Sequence, residues 1–158
     1  MWLSKSRLNM KKKLQVRTVL DLKEDLERRI IETEKEIVKY NTHKEIKVNG
    51  LLDTLTKLGD QLIIIKEAVQ TANKSKHKDG KTNNFYIYTL YNFKRTRTLY
   101  NKINCNDKNS QFSIDEINQL IKNIEEEERK IRDKLTAFNT SKTISVELDE
   151  DLNLWKDE

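Results

Sequence analysis

The sequence has no proline, three glycines, one cysteine and two histidines in 158 residues. Each scarcity excludes something. Without proline, and with glycine only at 50, 59 and 80, the chain has few of the residues that interrupt helices. A single cysteine, Cys105, rules out an internal disulfide framework and a multi-cysteine zinc site. Long apolar runs are missing too. The longest, Leu62 to Ile65, falls far short of the roughly 18 residues of a membrane span. The N-terminus is basic but has no apolar stretch before Lys11, which argues against a secretory leader. These absences point to a cytoplasmic protein. Apolar residues are also few, 35% of the chain, against roughly 45–50% in globular chains. Charged residues reach 36%, against about 25%. A large spherical core is therefore not expected, whereas an elongated helical chain needs only narrow apolar seams.

What is present is helical periodicity. Four segments carry apolar residues at alternating steps of three and four, and they predict helices over about 14–41, 51–73, 83–103 and 114–139. In the second, Leu51, Leu55, Leu58, Leu62, Ile65, Val69 and Ala72 form the stripe, after an Asn49-Gly50 turn signal. In the first it is Val19, Leu22, Leu26, Ile30, Thr33, Ile37 and Tyr40. Set antiparallel, these two stripes meet residue for residue: Leu55 with Ile37, Leu62 with Ile30, Ile65 with Leu26, Val69 with Leu22. That agreement predicts an αα-hairpin. The third helix follows Asp79-Gly80, with Thr82 as N-cap. The fourth opens on a capping box, Ser113 and Glu116, and carries Ile114, Ile117, Ile121, Ile124, Glu128, Ile131, Leu135 and Phe138 on one face. The fold class is therefore all-α: an elongated four-helix chain of two antiparallel hairpins with coiled-coil-like seams, with a minor short β element as an option. A basic extension (1–13) precedes a single helical domain (14–148), and an acidic tail (149–158) follows it. Met10 offers an alternative start.

The β option comes from period-two alternation. Ile46 and Val48 flank Lys47, and Ile144, Val146 and Leu148 alternate with Ser145 and Glu147. Plain loop is the competing reading of both. In the tail, Leu152, Leu154 and Trp155 could dock on a partner or on the body.

Little in the sequence points to catalysis, and no catalytic residue, cofactor or metal is expected. His43 and His77 stand alone in polar loops and read as solvated. Cys105, between Asn104 and Asn106, has no local base or cation to activate it and reads as an inert thiol. Arg97 and Glu128 interrupt apolar seams and read as polar residues that specify association. If the hairpin closes near Ile103 and Ile114, the two stand about 12 Å out of register. A pair could then form only between subunits or across non-sequential helices.

The basic-aromatic zone is the most informative feature. From Gly80 to Asn106 there is no acid, and six of the eleven aromatic residues lie between Phe85 and Tyr100. Interleaved rings and cations bind phosphates and nucleotides through ion pairing and stacking. The candidate ligand-binding residues are Asn73, Lys74, Lys81, Thr82, Tyr88, Tyr91, Lys94, Arg95 and Arg97. The competing reading puts Tyr86, Phe93 and Tyr100 in a core with the cations solvated.

The order of motifs resembles the small helical bacterial family known as septicolysin, over Met10 to about Leu148. The matching residues are Leu14, Arg17 and Leu20; then Ala72-Asn73 and Asp79-Gly80-Lys81-Thr82; then Arg129, Ile131, Leu135 and Asn139. The chain departs from that family where Tyr91 or a neighbour replaces an acid, and where Thr136 and Thr140 replace Gln and Trp. The resemblance implies a helical fold but no particular chemistry.

Charge is distributed unevenly. Met1–Arg17 carries +6, residues 18–67 carry −2, residues 68–106 carry +7 and residues 107–158 carry −6. The functional expectation is a non-enzymatic homo-oligomeric binding protein that holds an anionic small molecule, such as a nucleotide, at the third helix and its preceding turn. The alternatives are a coiled-coil adaptor and, below it, a nucleic-acid binder.

Overall fold

A computed structural model describes residues 9–43 and 47–154. These form β1 (Asn9–Gln15), α1 (Val16–Tyr40), α2 (Val48–Asn73), α3 (Asn83–Lys102), α4 (Ile114–Ser141) and β2 (Thr143–Asp149), followed by a 3-10 turn at Glu150–Leu152. The four expected helices are present, and the fold is predominantly α with a minor two-stranded sheet. No helix among the described residues is long and apolar enough to cross a membrane. The chain divides into two compact units. The first holds β1, α1, α2 to Ala72 and the chain from Ser141 onward; the second is Asn73–Thr140.

In the first unit the predicted stripes become one core. Val19, Leu22 and Leu26 of α1 cluster with Leu58 and Ile65 of α2, and Ile30, Leu62 and Val69 pack at its edge. The residues 41–47 that join the helices span at most about 25 Å, whereas α1 is about 37 Å long. That connection cannot carry α2 back to the start of α1, so α2 shares the core by running antiparallel.

The sheet closes this core. β1 pairs antiparallel with β2, from Asn9 opposite Asp149 to Gln15 opposite Thr143. The alternation at 144–148 is thus a strand, and its partner lies in the same chain. That partner includes residues 9–13, which read as a solvated extension, and Leu14, which read as helix. Three consecutive lysines hide a period-two pattern: Leu14 is buried and Lys12 half-buried, while Lys11 and Lys13 are exposed. Only a partner strand some 130 residues away gives that pattern a buried face. The other strand option fails at Val48, which opens α2; Ile46 lies outside the described residues.

Two polar contacts fasten β2 and the segment after it. Gln61, buried on α2, donates from Nε2 to the Glu147 carbonyl (2.8 Å) and accepts at Oε1 from the Asp149 amide (2.7 Å). Its amide acts as one more peptide group on the strand's outer edge, which blunts that edge. Arg29 donates to the Leu152 carbonyl at 2.7 Å, and Leu152 joins the core. The first part of the acidic tail therefore docks on its own body, with Asp151 3.1 Å from Lys57 Nζ.

Candidate functional site

The second unit begins with a turn that the sequence marks by Asp79-Gly80. Gly80 has φ +82°, a conformation that side chains disfavour. The His77 amide donates to the Lys81 carbonyl at 2.8 Å, and Lys76 bridges Thr82 in antiparallel fashion. Thr82 caps α3 as expected, its Oγ1 accepting from the Phe85 amide at 3.1 Å.

Inside the turn is a polar cluster. Asn83 is buried, donates to Asn73 Oδ1 and meets His77 Nε2 at its own Oδ1, both at 2.9 Å. The His77 ring stacks on Phe138 with centroids 5.2 Å apart and meets Tyr86 edge-on at 4.8 Å. His77 is thus a structural residue of the turn, not a solvated one. Its partners, six to sixty-one positions onward, left no local signal. The buried Tyr86 hydroxyl donates to the Asp79 carboxylate and accepts from Lys134 Nζ at 3.2 Å. That phenol bond, then the Lys81 amide, hold the Asp79 carboxyl below its ordinary range. The same hydroxyl, with the Asp79 charge, raises the Lys134 ammonium.

Arg97 and Glu128 correct the register expectation. They pair within this unit, Arg97 Nε lying 3.0 Å from Glu128 Oε1, while Arg132 donates to Oε2 at 3.0 Å. The hairpin does not close at Ile103. That residue is extended, and residues 103–106 run on beside Ile114, Ile117 and Ile121, lining a cavity of about 200 Å³ with them. The first turns of α4 thereby pass beyond the end of α3, which brings Glu128 level with Arg97. The Glu128 carboxylate is fully buried, and the Arg97 contact is not aligned as a hydrogen bond at Oε1.

The nine predicted ligand-binding residues therefore do not form one site. Asn73 and Thr82 are engaged within the turn, and Arg97 faces α4. Lys74 is exposed on the turn, and Lys81 Nζ lies 4.6 Å over the Phe85 ring. Tyr88, Tyr91, Lys94 and Arg95 remain on the opposite, outward side of α3. Tyr88 and Tyr91 are well exposed there, and Lys94 Nζ lies 6.0 Å from the Tyr91 ring centroid. Thr98, Leu99 and Lys102 complete this face, which opens as a groove of about 630 Å³ lined by Tyr91, Lys94, Arg95, Thr98, Leu99 and Lys102. The missed residues had a signal: 91, 94, 95, 98, 99 and 102 follow the three-four spacing of one helical face. Among the described residues, neither Arg95 nor Lys102 has an acidic partner.

Among the described residues there is no group of three or more His, Cys, Asp or Glu that could hold a metal ion. No family model, curated protein or solved structure matches the chain, and the likeness to septicolysin rests on the residues quoted for it.

Proposed function

We propose that the chain is a non-enzymatic, self-associating binding protein whose outward α3 face takes an anionic molecule carrying an aromatic group, such as a nucleotide. One observation carries this reading. The exposed Tyr91 shares one helix face with Lys94, Arg95 and Lys102, and among the described residues Arg95 and Lys102 have no acid to neutralise them. Arg95 and Lys102 would meet phosphate, and the Tyr91 ring offers a stacking platform worth about 1–3 kcal/mol per base. The turn at 73–82 serves as scaffold in this reading, because Asn73 and Thr82 already have partners.

Thermal shift with a nucleoside triphosphate, set against inorganic phosphate, is the direct test. The expected result is a rise in Tm with the nucleotide that is lost in Arg95→Ala/Lys102→Ala and reduced in Tyr91→Ala. If no nucleotide moves Tm and a single-stranded oligonucleotide binds with steep salt dependence, the nucleic-acid reading replaces this one. An adaptor is the second reading. It is favoured by aliphatic side chains left exposed on α1 and α2: Ile31, Val38, Leu52 and Ile63.

A further inference from the structure

α1 is unevenly equipped along its length. Between residues 23 and 32 most charges pair with one another: Lys23 with Glu27, Arg28 with Asp25 and Glu32, and Arg29 with Asp25. Towards its C-terminal end Ile31 and Val38 are 52% and 79% exposed, and between them stand Glu34 and Lys35. Among the described residues, neither of these two charges has an ionic partner. The four positions follow i, i+3, i+4, i+7 spacing, so they share one face. That face lies opposite the buried stripe of Val19, Leu22, Leu26 and Thr33, and a groove of about 370 Å³ opens along it.

This face is complementary to itself. Two copies of α1 laid antiparallel about a twofold axis between residues 34 and 35 place Ile31 against Val38 of the second copy. The same register places Glu34 against Lys35 of the second copy, and symmetry repeats both contacts. A parallel pairing would set Glu34 on Glu34 and Lys35 on Lys35, which like-charge repulsion disfavours. We infer that the outward face of α1, centred on Ile31, Glu34, Lys35 and Val38, is a docking surface for a second copy of this chain in antiparallel register. The inference rests on the self-associating part of the proposed function and is independent of the α3 ligand. Four side chains per copy cover far less than the roughly 1,600 Å² of a standard interface. The expected dimer is therefore weak and reversible.

Sedimentation equilibrium over a concentration series up to about 1 mM tests this, with circular dichroism to confirm unchanged helicity of each variant. Each substitution sits on an exposed position, so folding is not at stake. Glu34→Lys and Lys35→Glu each convert two attractions into two repulsions and should raise Kd about tenfold. The double variant exchanges the charges and should return Kd to within about twofold of the original. Val38→Asp should abolish the dimer. A chain that stays monomeric throughout overturns self-association itself. A chain that dimerises regardless of the single reversals, or that the double variant fails to restore, overturns this face while leaving self-association standing.

Discussion

The two units differ in how much aliphatic surface surrounds their buried polar groups. The first has an aliphatic core drawn from every one of its elements: Leu14, Leu22, Leu26, Leu58, Ile65, Val146, Leu148 and Leu152. Around that cluster it also buries the polar Thr33, Gln61 and Asp149, whereas in the second the described buried apolar residues are only Tyr86, Ile117 and Ile131, beside Asn83 and Glu128. A non-directional hydrophobic core tolerates loss in proportion to volume, whereas a core built on hydrogen bonds and one carboxylate depends on particular partners. The first unit should therefore fail by cavity and the second by orphaned charge. The proposed ligand face is carried by the second, polar-cored unit.

The largest effect is expected from Leu26→Ala, because Leu26 is fully buried in the aliphatic cluster. The cavity should cost about 3 kcal/mol. Amide exchange should place the loss in α1, α2 and the sheet, while α3 and α4 stay protected. Equal loss of protection in α4 would show that the units unfold together and would dissolve the contrast.

The second unit is tested by a pair of substitutions. Arg97→Ala leaves the buried Glu128 carboxylate with Arg132 alone and should cost about 2 kcal/mol, less than the ~3–5 for a carboxylate stripped of every partner. Glu128→Leu removes the charge, keeps the volume and should be neutral or stabilising by about 1 kcal/mol. Urea unfolding of both variants decides the matter. If Glu128→Leu destabilises more than Arg97→Ala, the ion pair stabilises in its own right and the second unit is not limited by its buried charge.

The same contrast explains what could be read in advance. Amphipathic stripes are local, so Leu22–Leu26 and Leu58–Ile65 announced both helices of the first unit and their common core. β1 was not legible, because three lysines conceal its period and Val146 and Leu148 lie far along the chain. In the second unit Arg97 and Glu128 stand out as polar residues in apolar seams and suggest a pair, but the periodicity places that pair between subunits or non-sequential helices and not within the hairpin. Their register depends on residues 103–106 running on extended beside α4, and loop paths leave little trace in residue periodicity. The role of His77 is hidden for a related reason: Phe138, Tyr86 and Asn83 are assembled around it only by the fold. Of the site, the cations and rings were visible, and their division between two faces of α3 became clear only once Arg97 was seen to meet Glu128.

The smallest effect concerns the polar cluster at the turn. A carboxyl whose folded pKa lies below its unfolded value, about 3.9 for Asp, stabilises the fold above that value and loses the contribution as pH falls through the folded one. Asp79 is such a group, and the phenol of Tyr86 is its first cause. Lys134, raised chiefly by the same phenol, has the opposite sign: its contribution is complete below about 10.4 and is lost as pH rises through the raised value. Tyr86→Phe removes the shared hydroxyl and leaves the ring in place. Asp79 and Lys134 are both partly open to water and can resolvate, so at neutral pH the buried-hydroxyl loss should amount to only about 1 kcal/mol. The deficit should hold steady from about pH 5 to 9 and narrow below about pH 4, as Asp79 becomes protonated in the unmodified protein. Urea midpoints followed on resonances of α3 at pH 7 and pH 3 provide the check. A deficit unchanged at pH 3 would mean that the hydroxyl acts through packing and Lys134 alone. The acid-sensitive contact between turn and helix would then have to be discarded.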